Sequence, residues 1–242
     1  MPPRIHVPPP LTAGAELALP APAARHVQVL RMQPGDALTL FDGAGGEWAA
    51  AVTHMGRAQV RVRVQAHTVI EREAARPVHL AAGLMAAERM DWLAEKATEL
   101  GAASLTPLLT ERASLRLSGE RALKKRAHWE AVAIAASEQC GRNRLLHVRE
   151  QLSFQDYLRQ PVAAHEARWL LWPHEGAQPL AAALAALAPA QAVHLLSGPE
   201  GGLSAAEQAA ALAAGWRPIH LGPRVLRAET APVAALAALT LL

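Results

Sequence analysis

Val193-His194-Leu195-Leu196-Ser197-Gly198-Pro199-Glu200-Gly201-Gly202-Leu203-Ser204-Ala205-Ala206-Glu207 is the stretch on which the fold turns. A short apolar run ends at Ser197, and three glycines and a proline then turn the chain. Ser204, with Glu207 three residues on, forms a capping box that opens a helix. Strand, tight loop and helix make one βα unit. Glycines at such a turn let the backbone approach a ligand closely and leave N–H groups to serve it. No Lys-Ser/Thr pair follows the glycines, as a phosphate loop requires, and no G-x-G-x-x-G occurs anywhere in the chain, which argues against ATP and NAD.

Downstream, Pro218 to Leu221 reads as the next strand. It runs into Gly222-Pro223-Arg224-Val225-Leu226-Arg227-Ala228-Glu229-Thr230-Ala231-Pro232 and a last apolar helix over Ala231 to Leu242. Thr230 is placed to cap that helix, with Pro232 in its first turn. Arg224 and Arg227 are costly in so apolar a region unless they meet something anionic. A helix apolar on most sides must be covered, by a second copy of the chain or by burial within one.

Upstream, the same alternation recurs: an apolar run over Val78 to Leu84, helical spacing through Met90, Leu93, Ala94, Ala97 and Leu100 to Gly101, then Leu105 to Leu109, a long helix around Ala122 to Ser137, Trp169 to Trp172, and a helix near Leu180 to Leu187. The fold class this implies is α/β, a mostly parallel sheet covered by helices on both faces, with ligands beyond the carboxyl ends of the strands. Residues 1–70 differ. Asp36 to Phe41 and Gln59 to Val64 alternate with period two, and Asp42 to Gly46 is a turn cluster, so short strands forming a small β-barrel are expected there. The aperiodic Ile70 to Arg76 reads as a linker, which leaves 76–242 for the α/β domain.

The net charge is +3, and 21 arginines stand against Lys96, Lys124 and Lys125. Arginine suits phosphate because its planar fork donates two parallel hydrogen bonds, although a codon-biased source would give the same excess. Between Glu111 and Arg144 eight basic residues meet four acids, a local charge fit for a polyanion or simply a solvated helix face. Cys140 is the single cysteine, so no intramolecular disulfide can form. The histidines make no ligand pair with a nearby carboxylate, and no metal is expected. No apolar run approaches the roughly 20 residues that span a bilayer, and the N-terminus lacks a secretory signal, so a cytoplasmic protein with no membrane partner is expected.

Leu30-Arg31, Glu99-Leu100-Gly101, Glu138-Gln139-Cys140-Gly141-Arg142, Gly198 to Gly202 and Leu221 to Ala231 together resemble, in order along nearly the whole chain, the signatures of the RsmE family of ribosomal RNA methyltransferases. The family is similar to other SPOUT methyltransferases. The resemblance implies a PUA-like N-terminal domain, a SPOUT-type sheet with a C-terminal trefoil knot, a homodimer, and S-adenosyl-L-methionine-dependent methylation of uridine N3 in the 16S rRNA of the small ribosomal subunit. It implies cofactor contacts at Gly198, Glu200, Gly201, Gly202, Leu221, Gly222, Val225, Leu226, Arg227 and Thr230. A third contact loop is expected after Trp172, where Trp172-Pro173-His174-Glu175 matches no family signature. RNA contacts are expected at Arg4, His26, Arg31, Arg112 and Arg142.

Uridine N3 carries a proton at neutral pH, and a cation near O2 or O4 favours the anion left when it departs. Arg227 and Arg142 are candidates for that role. Glu138, Glu200 and Glu229 are candidate proton acceptors, although a carboxylate beside arginine is a weak base. Two other readings remain open from the residues alone: an inactive RNA-binding protein of ribosome assembly, and a SPOUT methyltransferase of another RNA.

Overall fold

The computed structural model describes residues 2–173 and 176–241, which fall into two compact units. The first joins Met1–Glu73 to Ile134–Leu145, and the second holds Ala74–Ala133 and Leu146–Leu242.

The first unit contains β1 (Arg4–His6), β2 (Glu16–Ala18), α1 (Ala21–Val29), β3 (Ala37–Phe41), β4 (Glu47–Met55) and β5 (Val60–Thr68). Its strands form a sheet in the order β1-β3-β4-β5-β2, parallel at β1/β3 and antiparallel elsewhere. The expected barrel is therefore a five-stranded sheet whose end strands are not paired with each other. Period two holds in β5: Val60, Val62 and Val64 are fully buried with Ile5, Leu38, Leu40 and Val52. Arg61 and Arg63 point the other way, to Glu16 on the neighbouring strand at 2.8 and 3.3 Å.

Helix α1 is absent from the strand-only expectation. Its nine residues bury Ala23, Ala24 and Val27, and it starts at proline, which suits a first turn. It ends in a Schellman motif, with Arg31 N–H donating to Gln28 O and Met32 N–H to Val27 O. Arg31 holds the left-handed position at φ 55°, the place that Gly101 and Gly215 take after two later helices.

The second unit begins with β6 (Val78–Gly83), α2 (Ala87–Glu99) and β7 (Ser104–Leu109), followed by α3 (Gly119–Cys140), whose last turns belong to the first unit. There follow β8 (His147–Val148), β9 (Leu152–Ser153), α4 (Phe154–Leu158), β10 (Ala167–Leu171), β11 (Gln178–Pro179), α5 (Leu180–Ala185), β12 (Val193–Ser197), α6 (Ala205–Ala213), β13 (Arg217–His220) and α7 (Thr230–Thr240). The sheet order is β11-β13-β10-β12-β6-β7-β8, with β9 also on β7, and every pairing is parallel. Central strands covered on both faces read as continuous apolar runs, and Leu80, Ala82, Leu105, Val193 and Leu195 are buried accordingly.

Helix α7 lays Pro232, Ala235, Leu236 and Leu239 into the core and packs on β6, β12 and α2, while Val233 on another side is only half buried. It begins one residue earlier than expected, because Arg227 O already accepts from Thr230 and Ala231 N–H. Thr230 is thus the first helical residue rather than the cap. Glu229 takes the cap position without a side-chain bond. No helix among the described residues is long and apolar enough to cross a membrane, and no group of three potential metal ligands occurs among them.

Candidate active site

In a parallel sheet the loops that leave the carboxyl ends of neighbouring strands converge, and here those after β10, β12 and β13 enclose a cleft of about 190 Å³. Leu170, Leu171, Ile219, Leu221 and Leu226 give it apolar walls, while Glu200, Gln208 and Arg224 add polar groups. Of the residues singled out from sequence, Gly198, Glu200, Gly202, Leu221, Gly222, Val225 and Leu226 line it. Gly201, Arg227 and Thr230 belong to the same loops but are not among its lining residues. Trp172 and Pro173 line it as well, whereas His174 and Glu175 lie outside the described residues.

The glycine loop is held by its surroundings. Gly202 N–H closes a turn on Pro199 O at 2.8 Å, and Gly202 sits at φ 68°, which a glycine adopts freely. The capping box of α6 forms as expected, and buried Glu207 also accepts from Glu111 N–H at 2.9 Å, tying the loop after β7 to it. Arg112 donates to Gly201 O at 3.1 Å, so this candidate RNA contact also braces the loop.

Glu200 reaches the start of α2, where its carboxylate accepts from Ala86 N–H at 2.9 Å, a favourable place for an anion. Ser114 Oγ donates to it at 2.7 Å, and Arg89 stands 3.4 Å away. Burial pushes the Glu200 carboxyl up, but Ser114, the Ala86 and Glu200 N–H groups and Arg89 outweigh it and hold the pKa below the usual carboxylate range. A carboxylate so engaged is a poor proton acceptor.

Arg89 is a residue the sequence reading passed over. It stands between Glu200 and Glu229, 3.7 Å from the latter, too long for a hydrogen bond. Glu229 Oε2 accordingly has no hydrogen-bond partner among the described residues. Only the fold brings residues 89, 200 and 229 together, so no local signal marked Arg89. Ser197 was also missed: its buried Oγ lines the cleft and has no partner among the described residues.

Arg224 and Arg227 are both exposed, so the expected burial cost does not arise. The Arg227 guanidinium makes no hydrogen bond or ion pair among the described residues, and Glu200 and Glu229 both face Arg89 instead.

The other two catalytic candidates, Arg142 and Glu138, lie in the first unit, and each is engaged there. Arg142 is 4% exposed and forks onto Glu73, with Nη2 at 2.6 Å and Nε at 2.8 Å. Glu138 accepts from His6 N–H at 2.9 Å and faces His26 Nδ1 at 3.2 Å. Arg4, expected to touch RNA, is 8% exposed, paired with Glu47 at 2.6 Å and stacked over Phe41. Buried pairs of this kind hold a unit together and leave no free fork for phosphate. Arg31 is exposed, and the His26 side chain is 42% exposed. Of the basic run, Lys124, Arg126, Arg142 and Arg144 are ion-paired, which reduces the charge it offers a polyanion.

Comparison with known proteins agrees with this anatomy. Residues 72–240 match the RNA methyltransferase domain family and residues 19–65 the RNA methyltransferase PUA domain. The chain is 37% identical to ribosomal RNA small subunit methyltransferase E of Synechocystis, covering 87% of this chain and 67% of that protein. It is 32% identical to the Bacillus subtilis protein of the same name, over 88% and 85%. Among solved structures, a putative methyltransferase of Legionella pneumophila in complex with S-adenosylmethionine matches at a TM-score of 0.92 and 36% identity, covering 99% and 97% of the two chains. The Neisseria gonorrhoeae ribosomal RNA small subunit methyltransferase E bound to S-adenosylmethionine matches at 0.91 and 32%, over 98% and 96%. With a PUA domain ahead of a parallel-sheet methyltransferase domain and a glycine-lined cleft at its carboxyl edge, the chain belongs to the ribosomal RNA small subunit methyltransferase E family.

Proposed function

We propose that the protein methylates small-subunit ribosomal RNA from S-adenosylmethionine, at N3 of a uridine, and acts in the cytoplasm as a homodimer. The observation that carries the reading is the cleft itself, in a chain more than 30% identical to relatives solved with that cofactor. The residues present fit such a ligand. Apolar walls suit a flat base, the orphaned Ser197 Oγ offers a hydrogen bond, and the glycines at 198 and 202 admit close approach. Gly198, Glu200, Gly201, Gly202, Leu221, Gly222, Val225, Leu226, Arg227 and Thr230 would hold the cofactor, which supplies an electrophilic methyl group. Arg227 would stabilise the uracil anion as N3 loses its proton. Residues 1–70 would bind RNA and 76–242 carry the chemistry. The threading of the C-terminal segment as a trefoil knot, and a second copy on the outer side of α7, belong to the same reading; the half-buried Val233 supports the latter.

The test is methylation of small subunits from a strain lacking the enzyme, read by nucleoside mass spectrometry. One added 3-methyluridine is expected. Methyl on another nucleoside would overturn the position, and no calorimetric heat with S-adenosylmethionine would leave an RNA-binding scaffold.

In the PUA domain, Arg31 occupies a left-handed position that costs a non-glycine residue roughly 1–2 kcal/mol. Arg31→Gly should raise the stability of α1, read as a higher urea midpoint, while lowering RNA affinity and reducing its salt slope by about one. Unchanged RNA binding in a more stable variant would remove Arg31 from the RNA surface.

A further inference from the structure

The cleft occupies the carboxyl edge of the sheet. At the amino edge of the same strands lies a second cavity of about 220 Å³, lined by β6, β7, β10, β12 and the segment after α4. Its floor is a row of polar residues in register across four adjacent strands: Arg168 pairs with His194, His194 with His79, and His79 with Ser104. Side chains directly in register on parallel neighbours share a face. The central strands of a covered parallel sheet are otherwise apolar, so this row needs a reason.

The groups are coupled. Ser104 Oγ lies 2.9 Å from His79 Nδ1, the two imidazoles stack at 4.8 Å, and His194 Nε2 meets Glu166 at 2.7 Å. Glu166 is thus already engaged. Two guanidiniums line the same space. Arg168 donates to Ala214 O and Val162 O, but the Arg149 side chain makes no hydrogen bond or ion pair among the described residues. Tyr157 and Thr106 bring further hydroxyls.

We propose that this cavity is a second binding site, for a phosphate group held by Arg149 and Arg168 above the Ser104-His79-His194 row. The charges favour an anion, since two guanidiniums face one carboxylate that His194 already holds. Several donors converging from different strands suit an anion with several oxygens, and hydrogen bonds to charged donors are the stronger kind. The proposal does not depend on the methyltransferase reading.

Protons give it a signature. His79 is lowered to about 4 by burial first, then by His194 and by Arg149, with Glu166 opposing. Burial pushes the Tyr157 phenol well above its ordinary range, so it remains a donor throughout. Glu166 is held below its usual value, first by its hydrogen bond to His194, and also by the neighbouring His79 and His165. His147, next in register beyond Ser104, is exposed at the edge of the row. A bound anion would offset Arg149 and favour protonated His79, so phosphate binding should take up a proton. The depressed His79 pKa contributes stability that is full above 6.5 and lost as pH falls towards about 4. Phosphate should restore part of that loss, and His79→Gln should remove His79's share of the pH dependence, leaving that of Glu166.

The full-length protein would be titrated with inorganic phosphate and, separately, with uridine monophosphate, following histidine ring resonances, with sodium chloride matched for ionic strength. Saturable shifts of His79 and His194 with a midpoint of about 1 mM are expected, at least tenfold weaker in Arg149→Gln. Tighter binding of one of the two would tell free from esterified phosphate. Shifts reproduced by chloride, undiminished in Arg149→Gln, or absent with both probes would overturn the site.

Discussion

Arg227→Ala is expected to keep near-normal S-adenosylmethionine affinity and to lower single-turnover methylation by roughly a hundredfold to a thousandfold, the usual cost of removing one preorganised donor from developing charge. The loop does not need the side chain. Arg227 contributes its carbonyl, which starts α7 by accepting from Thr230 and Ala231 N–H, and truncation leaves that in place. The obvious structural role, pairing with Glu200 or Glu229, belongs to Arg89. An exposed guanidinium with no internal partner is available to a substrate edge. An interaction that strengthens as uridine N3 loses its proton lowers the barrier and not the ground state, so the effect should appear in turnover rather than in cofactor binding. Arg227→Lys should recover little, because an ammonium lacks the fork. Equal losses of affinity and rate would make Arg227 a loop brace instead, and full activity in Arg227→Ala would remove it from the chemistry.

The sheet was legible because its strands are apolar runs punctuated by glycine and proline, and the capping box at Ser204 and Glu207 formed as the spacing required. The PUA domain was harder. Strand β5 declared itself by strict alternation, but α1 is short and alanine-rich, and β1 and β2 are three residues each, too brief to show a period. Within the site, the contiguous loops 198–202 and 221–229 could be read from sequence. What escaped was every group that arrives from elsewhere in the chain: Arg89 from α2, Ser114 from the loop after β7, and the partners Glu47 and Glu73 that take up Arg4 and Arg142. A buried arginine and a ligand-binding arginine look alike in sequence; the nearest carboxylate distinguishes them, and that is a property of the fold. The Val-His-Leu opening shared by β6 and β12 was visible too, but its meaning depends on a register no linear pattern reveals.

Gly83 yields the second large effect, at a residue that touches no proposed ligand. It ends β6, where the chain comes against the glycine loop leaving β12, and a Cβ built there would stand 2.5 Å from Pro199 Cδ and 2.6 Å from Pro199 N. The nitrogen is backbone and cannot swing aside as a flexible side chain would. Gly83→Ala must therefore displace the turn that places Gly198 and Glu200 in the cleft. Overpacking of this kind costs about 1–3 kcal/mol. Spent on the loop, that should weaken S-adenosylmethionine binding by roughly fivefold to a hundredfold, with each 1.4 kcal/mol worth a factor of ten. A melting temperature lower by roughly 2–4 °C per kcal/mol should accompany it. RNA affinity of the PUA domain should be unchanged, because its strands are untouched. Pro199→Gly in the Gly83→Ala background removes the ring carbon but not the nitrogen, so it should restore part of the cofactor affinity and not all of it. Gly83→Ala with unaltered cofactor affinity would show that the loop can move without cost, and that the close approach of β6 does not set the shape of the cleft.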